Sequence, residues 1–208
     1  MRKLLLGSLL FLMPYVLIAQ SQESAYDGRG SLKAGAEFSS YNPDFYCSSS
    51  SPFSCGASGL SLMKGIGVFA DYNIQSRWGA EGEARWLRWG GDAGQLEATY
   101  LAGPRYRFYR WRALGFWAKF LIGDGAITTA NYPGPSTLEG NFLVYAPGAS
   151  VDYRLTRRFS LRGDYEFQIW PNFAVAPSLG VSGELVSHNH GISPNGLSIG
   201  VSYTITGH

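Results

Sequence analysis

Lysine is nearly missing from this 208-residue chain: beyond Lys3 it occurs only as Lys33, Lys64 and Lys119. A water-exposed surface of this size is normally coated with charged side chains of that kind, so something other than water is expected to cover much of it. Cysteine is limited to Cys47 and Cys55, and no His lies near them, which argues against a metal site at that pair. After the first 19 residues there is no continuous apolar run of helical spanning length, so a transmembrane helix in that part is excluded. A basic excess is absent as well. Without Arg2 and Lys3, 15 basic residues face 15 acidic ones, and nothing points to a nucleic-acid partner. No Gly-rich phosphate loop, nucleophile elbow or zinc spacing occurs.

What is present begins at the N-terminus. Arg2 and Lys3 precede an apolar stretch from Leu4 to Ile18, closed by Ala19 before the polar run Gln20-Ser21-Gln22-Glu23-Ser24. That is the layout of a secretory signal peptide. The stretch is short for a membrane anchor and contains Pro14, and no Cys follows it to carry a lipid. Residues 1–19 are expected to be a signal peptide and 20–208 one domain. In an exported chain, Cys47 and Cys55 are expected to form a disulfide across a Ser-rich loop.

From residue 32 onward apolar and polar residues alternate with period two, the mark of strands with two unlike faces. Eight segments carry it. Phe159, Leu161, Gly163, Tyr165, Phe167 and Ile169 oppose Ser160, Arg162, Asp164, Glu166 and Gln168; Trp78, Ala80, Gly82, Ala84 and Trp86 oppose Glu81, Glu83 and Arg85. The others start near Leu32, Ile66, Ala98, Phe116, Leu143 and Leu197. Pro104 and Pro147 fall inside two segments, where a bulge or a weakened pair is expected. Short turns at 73–77, 109–112 and 155–158 alternate with longer connections near 40–62, 90–96, 123–141 and 171–194. Short periplasmic turns and long extracellular loops are the habit of outer-membrane barrels. Strands of about ten residues at ~3.3 Å each, tilted ~45°, rise roughly 23 Å, close to the apolar band of such a membrane.

Alternation alone does not say which face is wet. Three features favour lipid outside. Tyr72, Trp78, Tyr106, Phe108, Tyr153, Phe159 and Tyr203 gather at the turn ends, and Phe38, Trp86, Tyr100, Tyr145 and Phe167 nearer the loops, as interfacial girdles do. The polar face is rich in Gly and Ser, with few lysines. Its charges nearly balance: Lys33, Arg85, Arg105, Arg107, Lys119, Arg154 and Arg162 against Glu37, Asp71, Glu81, Glu83, Glu97, Asp152, Asp164 and Glu166. Buried charges need partners, and this set can pair with itself. The expected fold is an all-β, eight-stranded, antiparallel up-and-down transmembrane β-barrel with these residues as a lumen charge network.

The runs Ala98-Thr99-Tyr100-Leu101-Ala102-Gly103-Pro104-Arg105-Tyr106-Arg107-Phe108, Pro147 to Leu155 and Leu161 to Phe167 resemble the small outer-membrane β-barrel family that includes the OmpA transmembrane domain and OmpX. Such barrels usually end on an aromatic, often Phe, read by the outer-membrane insertion machinery; here the last aromatic is Tyr203, in Val201-Ser202-Tyr203-Thr204-Ile205-Thr206-Gly207-His208. An eight-stranded barrel is just wide enough to be filled by side chains, here including Trp117 and Phe69. The expected protein is therefore non-enzymatic, with no catalytic, cofactor or metal residues. It sits among outer-membrane lipid and anchors loops for envelope integrity, adhesion or capture of an extracellular ligand. Tyr41, Phe45, Tyr46, Phe53 and Tyr132 offer the loops contact surface or simply pack over the mouth. The alternative is a narrow porin-like channel lined by Glu81, Glu83, Arg105 and Arg107. A lipid A-modifying enzyme is the weakest reading: His190 and Ser193 stand three apart, so a strand cannot put them on one face, and neither they nor His188 have a fixed carboxylate partner in Glu184.

Overall fold

The computed structural model describes residues 29–43, 62–88, 96–128, 140–172, 178–179, 185–186 and 191–206. The expected signal peptide, the Cys47–Cys55 pair, His188 and His190 lie outside the described residues.

Eight strands form a closed barrel: β1 (Ser31–Asn42), β2 (Met63–Asn73), β3 (Trp78–Arg88), β4 (Leu96–Trp111), β5 (Leu114–Thr128), β6 (Gly140–Arg154), β7 (Phe159–Phe167) and β8 (Asn195–Thr206). Each pairs antiparallel with its sequence neighbours, and β1 closes the ring against β8 with Gly35 opposite Ser202, Glu37 opposite Gly200 and Ser39 opposite Ser198. Closure leaves no unpaired barrel edge, which lipid would not tolerate. Ser178–Leu179 and Leu185–Val186 add a small antiparallel ribbon. Among the described residues no helix is long and apolar enough to cross a membrane.

The burial profile is turned inside out. Ile66 is 64% exposed and Ile199 71%, while Arg85 and Arg105 are each 1% exposed. In water this would bury charge and display hydrocarbon; in lipid each face meets its proper solvent. The alternation of β7, exposed at every odd residue and buried at every even one, shows how directly the period-two pattern became two surfaces.

Both internal prolines interrupt one ladder without shifting it. Between β4 and β5 the pairing passes from Ala102–Ile122 to Arg105–Lys119, skipping Gly103 and Pro104. Between β6 and β7 it stops at Gly148–Glu166, and resumes beyond Pro147 as a bridge from Tyr145 to Ile169. A missing N–H weakens the pairing on one side and leaves the register intact. The bulge in this part of the barrel falls instead at Arg107/Tyr109, which leaves both Phe108 and Tyr109 on the outside.

β5 and β6 run to Thr128 and from Gly140, so the third loop is shorter than the connection 123–141 read from the sequence. Tyr41 is likewise not a loop residue: it is the penultimate residue of β1, fully buried, and points inward. Turn ends are tied to neighbouring strands. Arg77 O accepts from Arg107 N at 2.7 Å, Ala113 O from Arg154 N at 3.0 Å, and Arg158 O from Thr204 N at 2.8 Å. Arg112, in the two-residue β4–β5 turn, has φ 53°.

Candidate functional site: the charged lumen

Inward positions of every strand supply the interior. β2 and β3 bring Asp71, Glu81, Glu83 and Arg85; β4 and β5 bring Glu97, Arg105 and Lys119; β6 and β7 bring Asp152, Arg162, Asp164 and Glu166. Lys33 and Glu37 come from β1. All are buried.

Four cations organise the carboxylates. Lys119 Nζ lies 3.1 Å from Glu81 Oε1, 3.1 Å from Glu83 Oε2, 3.0 Å from Asp164 Oδ1 and 3.1 Å from Glu166 Oε2. Arg85 holds Glu37 Oε1 (Nη2, 3.1 Å), Glu83 Oε1 (Nη2, 2.9 Å) and Glu166 Oε1 (Nη1, 2.9 Å). Towards the turns, Arg105 and Arg162 share Asp71 and Asp152, with Glu81 Oε2 more distant at 3.3 and 3.6 Å. Both contact Asp71, and Asp152 accepts from Arg105 Nη2 at 3.1 Å and from Arg162 Nε at 2.9 Å. Removing these ions from water is expensive, and only dense mutual pairing offsets it. Each of the three guanidinium groups also lies over a ring: Arg85 over Tyr41 at 4.6 Å, Arg105 over Trp117 at 4.0 Å, and Arg162 over Phe69 at 4.0 Å.

Inward glycines make room for the rings. A Cβ at Gly35 would meet Phe69 Cζ at 2.4 Å, and one at Gly125 would meet Trp170 Cη2 at 2.2 Å. At the loop end the polar chain continues from Glu166 through Gln168 Nε2 (2.9 Å) to Trp170, whose Nε1 donates to Gln168 Oε1 at 2.9 Å. Beside it lies an apolar cluster of Leu101, Leu121, Ile127, Val144, Ala146, Trp170 and Ile192.

Two members of the sequence-derived network sit elsewhere. Arg107 and Arg154 are half-buried at the turn end; Arg107 stacks at 5.3 Å on Trp117 and donates to Ser76 O. The buried set is thus Lys33, Arg85, Arg105, Lys119 and Arg162 against Glu37, Asp71, Glu81, Glu83, Glu97, Asp152, Asp164 and Glu166, five basic residues to eight acidic ones. Glu97 stands apart from the network. Neither of its carboxylate oxygens has a hydrogen-bond partner among the described residues, and its cross-strand neighbours are Leu87 and Ile127. A buried, unpartnered carboxylate is destabilising. Glu97→Gln is therefore expected to raise the urea midpoint of unfolding, by an amount equivalent to about 1–2 kcal/mol. A lowered midpoint would mean that the carboxylate is held by residues outside those described.

Lipid-facing hydrocarbon around a closed ring with charges inside is the architecture of an outer-membrane barrel, and the sequence profile of the outer membrane protein beta-barrel domain matches residues 9–204. The chain belongs to that family. No curated protein sequence matches it. Among solved structures, this outer-membrane barrel is similar to Neisserial surface protein A, with 12% identity, TM-score 0.58, and coverage of 84% of this chain and 96% of that one. It also resembles OprG from Pseudomonas aeruginosa (14% identity, TM-score 0.54, coverage 86% and 97%). A third likeness is to Ail of Yersinia pestis in complex with the heparin analogue sucrose octasulfate (15% identity, TM-score 0.50, coverage 86% and 99%). At these identities the likeness is one of fold.

Sequence reasoning missed the inward apolar residues Leu87, Leu101, Val144, Ala146 and Trp170. They share the parity of the charged positions, and that parity was the signal that could have found them. Hydrophobicity concealed them, because an apolar residue reads as lipid-facing whichever way it points.

Proposed function

We propose that this protein is a non-enzymatic outer-membrane scaffold, exported through the leader at residues 1–19, whose ion-paired lumen does not conduct and whose barrel anchors the four longer connections outside the cell. The observation that carries this reading is the dense pairing around Lys119 and Arg85, which ties β1, β3, β5 and β7 together across the interior. A rigid core of that kind suits a platform for loops better than a route for solutes. Insertion would proceed through the outer-membrane machinery, with Tyr203 as the last aromatic it meets.

The loops would serve adhesion, envelope integrity or ligand capture. The sequence of these connections, 40–62, 90–96, 123–141 and 171–194, contains Asp44, Asp92, Asp124, Glu139 and Glu184 and no Lys or Arg; Lys64 and Arg88 are the basic residues of the flanking strand ends. That acidic balance disfavours a polyanion such as the heparin analogue seen with Ail and favours an uncharged or cationic surface met by Phe45, Tyr46, Phe53 and Tyr132.

Single-channel recording of the refolded protein in a planar bilayer tests the reading, with a heat-modifiable gel shift as proof of folding. Silence is expected. Discrete current steps would overturn the scaffold in favour of a narrow channel. The excess of buried carboxylate would then make the current cation-selective.

A further inference from the structure

Of the 15 basic residues beyond residue 19, five are in the lumen and two stand at loop-side strand ends; the remaining eight are arginines at the turn end. They are Arg29, Arg77, Arg107, Arg110, Arg112, Arg154, Arg157 and Arg158, spread over every turn. No Asp or Glu occurs among the described residues of that end, 29–30, 74–77, 106–116, 153–160 and 203–206. Arg29, Arg77, Arg112, Arg157 and Arg158 are exposed, and the cross-turn hydrogen bonds at Arg77, Ala113 and Arg158 fix the rim that carries them.

Depth identifies what they meet. Trp78, Phe108, Tyr109, Trp111, Tyr153 and Phe159 are about half exposed at the same end, and the amphipathic Trp and Tyr rings among them settle at headgroup level. Arg158 Nη1 donates to Tyr203 Oη at 2.7 Å, and Arg112 lies 5.4 Å from the Trp111 ring, so the guanidinium groups share that level. We propose that this arginine collar binds the phosphates of anionic phospholipid headgroups in the leaflet around the turns. The flat five-donor guanidinium matches a phosphate's oxygens better than a lysine would, which fits a collar made of arginine alone. With the turns facing the periplasm, that leaflet is the periplasmic one; the chemistry itself does not depend on orientation.

The test uses the full mature barrel refolded into phosphatidylcholine vesicles that contain brominated phosphatidylglycerol or brominated phosphatidylcholine. Quenching of tryptophan fluorescence gives the relative binding of the two lipids, since Trp78 and Trp111 stand on the outer surface at the collar. A preference for phosphatidylglycerol of about fivefold or more is expected, from the typical contribution of even one basic residue at an anionic surface. It should fall towards unity in the quadruple variant Arg110→Gln, Arg112→Gln, Arg157→Gln, Arg158→Gln, and survive in Lys64→Gln, Arg88→Gln. Should the quadruple variant fail the gel-shift test of folding, the parent decides: its preference should fade as salt is raised, because exposed charges are screened. No preference, one that survives in a folded quadruple variant or at high salt, or one lost only in the loop-side variant would overturn the proposal. So would binding of the collar to isolated cell-wall polymer without any lipid preference.

Discussion

Replacing Lys119 by Met should unfold the barrel or leave it barely stable. The substitution keeps length and apolar bulk, yet it withdraws the one ammonium set between Glu81, Glu83, Asp164 and Glu166, all within 3.1 Å of Nζ. Breaking a buried pair by removing one partner typically costs about 3–5 kcal/mol, and here four carboxylates lose a common partner. The folded, heat-modifiable band should vanish or its urea midpoint collapse. The physical cause can be isolated by a second change. Asp164→Asn in the Lys119→Met background removes one of the repelling charges and should recover part of the loss, whereas Asp164→Asn alone should destabilise. A Lys119→Met protein that matches its parent in urea would mean that the central ion pairs do not hold the barrel.

The second large effect is expected at Asp71. This carboxylate is fully buried and stands between the guanidinium groups of Arg105 and Arg162. Asp71→Asn is nearly isosteric but turns an acceptor shared by two cations into a neutral group with an N–H₂ facing one of them. The arginines are left with Asp152 and the more distant Glu81 Oε2, at 3.3 and 3.6 Å. A loss of about 3 kcal/mol or more is expected from urea unfolding. Asp71→Asn combined with Arg105→Met should cost less than the sum of the two single changes, because the members of one network do not add. Strict additivity would place Asp71 outside the network.

Much of the barrel was legible because period two is a local property. Gly35, Glu37 and Ser39 share a face on account of their spacing alone, and the same holds for Ser160, Arg162 and Asp164; no knowledge of neighbours is required. The short turns at 73–77 and 109–112 are visible because their residues break the alternation; the structure trims the first to 74–77 and moves the second to 112–113, since β4 runs on to Trp111. Reading failed where the local signal is ambiguous. The polar pairs Ser39-Ser40 and Asn42-Pro43 end the visible apolar face and make Tyr41 read as a loop residue, yet its ring continues the inward face of β1 beneath Arg85. Arg107 and Arg154 have the parity of lumen residues, but their height along the strand brings them out at the turn end, and alternation carries no information about height.

The sequence alone determined that the chain makes strands, that the barrel has eight of them, and that each has one hydrocarbon face and one polar face. Partnership was decided only by the tertiary structure. Asp71 and Arg162 are 91 residues apart, and Arg85 and Glu166 are 81 apart; they meet because β1 closes on β8 and turns a ladder of neighbours into a ring. Closure also decided which charges pair, and it set Glu97 beside Leu87 and Ile127 with no hydrogen-bond partner among the described residues. The reason is one of range: side-chain direction is set within a residue or two, whereas the pairing of charges across a lumen depends on the curvature and closure of all the strands together.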